Sequence, residues 1–131
     1  MRNHITHGIT AGILSALAGI VYQNAYEEAM FLDFSGVINS ASITAASILG
    51  CLLMAASYLM VELLKKPRLK AWVNMVIIGV TFLSILAPLS MTLPLYVEFP
   101  EMFTGLAIPM HFFPAMIFFG LSPFFNQEPY V

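Results

Sequence analysis

The chain has 131 residues, of which 60% are hydrophobic and 9% charged, whereas soluble domains carry about 25% charged residues. So few charges cannot cover the surface of a soluble domain this small, so the sequence is written for lipid. A net charge of −2 with no long basic run argues against nucleic acid as a partner, and the lone cysteine, Cys51, excludes an internal disulfide and any CxxC redox or zinc motif.

A membrane-crossing helix needs about 20 mostly apolar residues. Setting aside every Asp, Glu, Lys and Arg leaves four long uncharged runs, 3–26, 34–61, 71–97 and 102–127. They predict spans over about 5–26, 38–64, 71–94 and 101–122 within a single transmembrane domain, 1–131. The first follows Arg2. "MRNHITHGITAGILSALAG" also fits a signal peptide loosely, with "ALA" at 16–18 as its cleavage site. Small residues at helical spacing favour a retained span instead. Gly8, Ala11, Gly12, Ser15 and Gly19 share one face, and Gly8 with Gly12 forms a GxxxG packing motif. Ile13, Leu14, Leu17 and Val21 lie elsewhere and suit lipid.

The second span repeats the pattern. Ser40, Thr44, Ser47, Cys51, Ala55, Tyr58 and Glu62 follow one another by three or four residues and form one stripe, with Gly50 a further small packing residue. Ile48, Leu52, Leu59 and Leu63 form the opposite face, expected to meet lipid. Glu62 is expected to pair with Lys65 or Lys66, one turn on. Lys65, Lys66, Arg68 and Lys70 then crowd the next loop, whereas the other loops carry Glu27, Glu28 and Asp33, then Glu98 and Glu101, and no Lys or Arg. Basic residues stay cytoplasmic, which places both termini and the 65–70 loop inside and the acidic loops outside. Tyr22, Tyr26, Trp72 and Tyr96 fall near the expected interfaces. The third span carries Asn74, Thr81, Ser84 and Pro88 on one stripe, and the fourth aligns Thr104, His111, Ala115 and Ser122. Four such helices predict an all-α integral membrane four-helix bundle, up-down-up-down, with the small and polar stripes inward.

The fourth span holds the ionisable residue that needs an account. His111 lies about ten residues in from Pro100, so about 15 Å deep at 1.5 Å per residue, level with Ser15, Cys51 and Thr81. Each proline lacks an N–H and clashes with the carbonyl four residues back. Pro109 and Pro114 therefore free the carbonyls of Gly105 and Met110, and Pro88 frees that of Ser84, making all three candidate kinks. His111 is expected to donate to a freed acceptor on a neighbouring helix or to a hydroxyl. This defines a candidate ligand-binding or relay set of His111, Ser15, Cys51, Thr81 and Ser84. The ring is either a neutral clasp for a broken helix or a functional group, since ionisable residues in spans are costly. His4 and His7 lie about 10 Å or more from the midplane and cannot share an ion with His111. One His and one Cys fall short of the four ligands zinc takes. No catalytic residue, metal or cofactor is assigned; haem, quinone and lipid stay open. Glu27, Glu28, Asp33, Glu98 and Glu101 make an outer acidic rim, read either as a solvated edge or as a mouth that attracts cations.

"HGITAGILSALAGIVYQNAY", "SITAASILGCLLMAASYLM", "LSILAPLS" and "PMHFFPAMIFF" occur in that order. In these the chain resembles a family of small, uncharacterised four-span bacterial membrane proteins, a domain of unknown function. The resemblance implies the topology and a place in the bacterial inner membrane, and draws interest to Met110, His111 and Pro88; it implies no activity. The leading expectation is a non-enzymatic binding or accessory subunit that contacts lipid and packs with a second copy or a membrane partner. The alternatives are a small transporter or channel gated by His111 and an intramembrane redox, lipid- or quinone-binding protein using it.

Overall fold

The computed structural model describes residues 2–125, the side chain of Arg2 excepted, and residues 126 and 127 at the end of the fourth uncharged run lie outside it. Helices α1 (Arg2–Met30), α2 (Ser40–Leu63), α3 (Leu69–Ser84), α4 (Leu86–Ser90) and α5 (Met102–Phe125) make up the chain, with no strand among the described residues. Four segments are long and apolar enough to cross a membrane: Asn3–Met30, Ser40–Leu63, Leu69–Ser90 and Met102–Phe125.

The third span, expected over 71–94, stops at Ser90 and is broken at Ile85 into α3 and α4, and the first, expected to end at 26, runs on to Met30. Pro88 has no N–H to offer the Ser84 carbonyl, and the chain tightens there, Ile85 N bonding Phe82 O at 3.2 Å. Helix α5, by contrast, runs through Pro109, Pro114 and Pro123 without interruption. The carbonyl Pro109 frees, that of Gly105, accepts the Tyr22 hydroxyl of α1 at 3.0 Å, so a neighbouring helix replaces the missing bond. Helix α2 opens on a reciprocal cap, Ser42 N to Asn39 Oδ1 at 2.9 Å and Asn39 N to Ser42 Oγ at 3.1 Å, which satisfies donors that the first turn leaves unpaired.

Helix α1 is the hub, packed along most of its length against α2 and α5, whereas α3 touches α2 and α5 far less. Its small stripe allows this. A Cβ on Gly8 would fall 2.8 Å from the Ala55 Cβ, and one on Gly12 would fall 2.8 Å from the Ile48 Cα, so these two positions admit no side chain without moving α2. Gly8, Ala11, Gly12, Ser15 and Gly19 are all buried, while Ile13, Leu14, Leu17 and Val21 are exposed. On α2 the stripe Ser47, Cys51, Ala55, Tyr58 is buried, but its ends Ser40 and Glu62 are exposed. Of the face expected to meet lipid, Leu63 is exposed and Leu59 partly so, but Ile48 and Leu52 turn inward. Ile48 and Leu52 are partly buried against Gly12 and Gly8, because side chains of that size fill the hollows the glycines leave. Leu49, Leu53 and Met60 form the exposed face instead.

Two apolar clusters result. One gathers Ala11, Cys51, Ala55, Tyr58, Ile77, Ala115 and Phe118; the other, near the acidic loops, gathers Phe34, Phe103, Leu106 and Ala107. Ile77 is the one buried residue of α3.

Candidate functional site

Four of the five residues singled out at mid-height come together. Ser15, Thr81, Ser84 and His111 line one groove of about 630 Å³, walled by α1, α2, α3 and α5, with Gly19, Ser47 and Gly50 also on its lining. Its volume lies in the range of about 300–1,000 Å³ typical of small-molecule sites. The groove exists because α3 stands off from the α1–α2–α5 core, holding it near Ile77. The fifth residue, Cys51, does not reach the groove. It is fully buried in the first cluster, its Sγ 3.7 Å from the Pro114 carbonyl.

The hydroxyls of the groove divide into two kinds. Ser42, Ser57, Thr81 and Ser84 each donate to a carbonyl three or four residues back, at 2.7–2.8 Å. They are satisfied within their own chain segment and offer little to an occupant. Ser15 is different: it is 1% exposed, and its Oγ has no hydrogen-bond partner. An unmet buried hydroxyl costs about 1–3 kcal/mol in proteins.

His111 is half-buried on the same lining. It does not donate to a freed carbonyl or to another helix, as expected from sequence. Its Nδ1 lies 2.8 Å from the Ala107 carbonyl, one turn back on its own helix. A carbonyl only accepts, so Nδ1 carries the hydrogen, and a neutral ring then holds a lone pair on Nε2. The lining thus carries His111, with a lone pair on Nε2, and the hydroxyls of Ser15 and Ser47, for which no hydrogen bond is formed. Among the described residues no Asp, Glu, Lys or Arg lines it.

A second polar cluster, at the end that carries the basic loop, was not anticipated. His7 is fully buried and lies between the rings of Phe118 and Phe125, with centroids 4.1 and 4.9 Å away and planes within 14°. Its Nε2 donates to the Phe118 carbonyl at 2.9 Å. His4 Nε2 lies 2.8 Å from Glu62 Oε2, so a histidine of α1 is a partner of Glu62. Nearby, the Tyr58 hydroxyl donates to Asn74 Oδ1 at 2.7 Å, and Lys70 Nζ sits 5.3 Å from the Tyr58 ring centre. The signal was present in the small-residue stripe of α1. Stepping back four residues from Gly8 and Ala11 lands on His4 and His7. Stepping forward four from Gly19 lands on Gln23, which is also buried.

The acidic rim is not one group. Glu27 is half-buried and works as a clamp: its Oε1 accepts Gln23 Nε2 at 2.9 Å and Phe34 N at 3.2 Å. Glu28, Asp33, Glu98 and Glu101 are exposed, and Asp33 and Glu98 share the lining of a cavity of about 580 Å³ beside Tyr96. Ser35, through its hydroxyl first and its backbone N–H second, holds the Asp33 carboxyl below its ordinary range. Tyr22 and Tyr26, expected only as interfacial rings, bond the α5 carbonyls of Gly105 and Met102 at 3.0 and 2.8 Å.

Compared with family models, with curated proteins and with solved structures, the chain gives no match.

Proposed function

We propose that the chain is a small multi-pass protein of the bacterial inner membrane, without chemistry of its own, that holds a membrane-borne molecule in the mid-height groove. The observation that carries this is the groove itself: an apolar space of ligand size whose lining includes His111 and the hydroxyls of Ser15 and Ser47. Sites for small molecules have this make-up, a mainly apolar lining with a few placed polar groups. Catalysis is less well supported. Ser15 Oγ is not bonded to His111, so no nucleophile–base pair is assembled, and Cys51 is walled into the core.

The membrane setting rests on the four apolar helices. An up-down-up-down order is supported by the residues that meet: Gly8 with Ala55 and Gly19 with Ile43 between α1 and α2, then His7 with Phe118 and Tyr26 with Met102 between α1 and α5. Lys65, Lys66, Arg68 and Lys70 favour a cytoplasmic 65–70 loop and cytoplasmic termini.

The test uses Gly50→Leu. A Cβ at Gly50 meets only the Pro114 Cβ, at 3.9 Å, so a larger side chain is accommodated there and fills the groove. Native mass spectrometry of the full chain in mild detergent is expected to show a bound lipid mass on the wild type and its loss from Gly50→Leu, at similar melting temperature. Equal bound mass on both proteins overturns the reading.

A further inference from the structure

We infer that the groove seats one extended acyl chain of a diacyl membrane lipid, entering sideways between α2 and α3 from the leaflet on the acidic-loop side; this rests on the reading of the groove as a binding site. Where the groove opens, how long it is and how wide it is each point to that occupant.

The opening follows from how α3 is fastened. Near the basic loop, the Tyr58 hydroxyl of α2 donates to Asn74 Oδ1 of α3 at 2.7 Å. Toward the acidic loops α3 leans on α5 instead, the rings of Phe82 and Phe112 meeting edge to face at 5.4 Å. The side between α2 and α3 is left open. There Leu53 of α2 and Val76 and Val80 of α3 line the groove and are exposed, whereas the α5 lining residues His111, Pro114 and Ala115 are half-buried or buried. The rim is thus continuous with the apolar surface that the spans turn to lipid. One end of the groove lies at Val37, Ile38 and Ser42, beside the loop that carries Asp33. The other closes at Met54 and Ser57, next to the Tyr58–Asn74 bond.

Length and volume give the same chain independently. Along α2 the lining runs from Ser42 to Ser57, about 22 Å at 1.5 Å per residue. An extended alkyl chain, with carbon–carbon bonds of about 1.5 Å, advances about 1.3 Å per carbon, so about seventeen carbons span that length. At about 30 Å³ for a group of water size, a groove of about 630 Å³ holds on the order of twenty such groups. Its mean section is about 30 Å², whereas a helix about 10 Å across needs about 80 Å². A helix of a second copy is therefore too wide, and a pair of acyl chains too bulky.

Charge fixes which part of the lipid enters. The lining carries no Asp, Glu, Lys or Arg among the described residues. A charged head drawn inside would be buried without a counter-charge, which apolar surroundings penalise heavily. The head therefore stays at the level of Val37 and Ile38, and the sideways mouth leaves the second chain in the bilayer. Diacyl lipids are the most abundant bearers of such chains in a membrane, and mass action favours them.

The experiment places the full chain in phosphatidylcholine vesicles with a trace of phosphatidylcholine carrying a diazirine on its palmitoyl chain, either near the ester or near the methyl end. After irradiation the labelled residues are located by tandem mass spectrometry, in wild type, Gly50→Leu and Ala46→Phe. The near-ester probe is expected to label Ser42 and Ile43, and the methyl-end probe Met54 and Ile77. Labelling of Met54 and Ile77 is expected to fall about tenfold in Gly50→Leu, while that of Val21 and Leu49, on faces turned to lipid, is unchanged. Ala46→Phe narrows the exposed rim and is expected to act alike, which keeps the test open if Gly50→Leu fails to fold. The two probes exchanging positions would mean entry from the opposite leaflet and overturns the inference, while the groove remains a site. Labels confined to Val21, Leu49 and other exposed faces overturn the acyl chain; the reading of the groove as a site then stands if native mass spectrometry still shows a bound mass that Gly50→Leu removes, and falls with it if not. A wild-type dimer that Gly50→Leu abolishes, with the lining unlabelled, makes the occupant a second copy and likewise overturns the inference.

Discussion

His7 shows how a polar residue is accommodated in so apolar a chain. Its ring is sandwiched by Phe118 and Phe125, and one nitrogen is bonded to the backbone of α5, so it is both packing and anchor. Replacing it by Ala empties a filled slot and removes the bond. Unfolding in mild detergent should show a loss of about 2–4 kcal/mol for His7→Ala. His7→Phe keeps the stacked shape and should stay within about 1 kcal/mol of wild type. An unchanged His7→Ala would mean that the ring is not part of the packed core. Sequence reading set His4 and His7 aside as terminal residues, too far along the helix from His111. That distance argument was sound, but it asked only whether they could join His111. Extending the packing stripe by one turn would have placed them inside. The bond His111 makes was illegible for a different reason. A histidine near two prolines has several carbonyls within reach, and only the rotamer decides which one it takes.

At the scale of helices, close approach decides the architecture. Gly12 lets the Ile48 backbone come where a methyl would stand, and backbone cannot yield as a flexible side chain does. Gly12→Ala should therefore destabilise the protein by about 1–3 kcal/mol, read as a lower melting temperature in detergent. The same change at Gly79 or Gly120, where an added Cβ meets nothing within 4 Å, should cost far less. The small stripes on α1 and α2 were readable because small residues at three- and four-residue spacing have one common use in apolar helices. Ile48 and Leu52 were misread because large apolar residues have two: they suit lipid, and they also fill the hollows opposite glycine. Composition cannot separate these uses, and only the partner helix can. The break at Ile85 was half legible, since Pro88 signalled a lost bond but not whether the helix would bend, as expected, or divide. Pro109 and Pro114 carry the same signal, and α5 runs on through both.

For the whole molecule, stability is unevenly spread. Helices α1, α2 and α5 hold most of the buried residues, while α3 contributes Ile77 and α4 Pro88. Regions with few buried apolar contacts open at lower free energy. Hydrogen exchange followed by mass spectrometry should find the amides of 69–90 exchanging sooner than those of 8–19 and 47–61. Filling the groove with a ligand that touches Val80, Thr81 and His111 together should narrow that gap. Uniform protection across all four spans without ligand would count against a loosely held α3. The acidic end adds a modest acid sensitivity. Asp33 is held below its ordinary range by Ser35, so its contribution is present above the unfolded carboxylate value and fades as pH falls through the depressed one.

The hydrogen bonds that Tyr22, Tyr26 and His7 make to α5 also set an order of events during synthesis. A ribosome releases α1 before α5. Three side chains of α1 must therefore wait, partnerless, until α5 arrives. The α1–α2 hairpin can form early, but it carries these unmet groups, each costing about 1–3 kcal/mol where water is excluded. A chain in which α5 is not yet in place is thus distinguishable from one in which it is by the same residues that fasten α5 to α1.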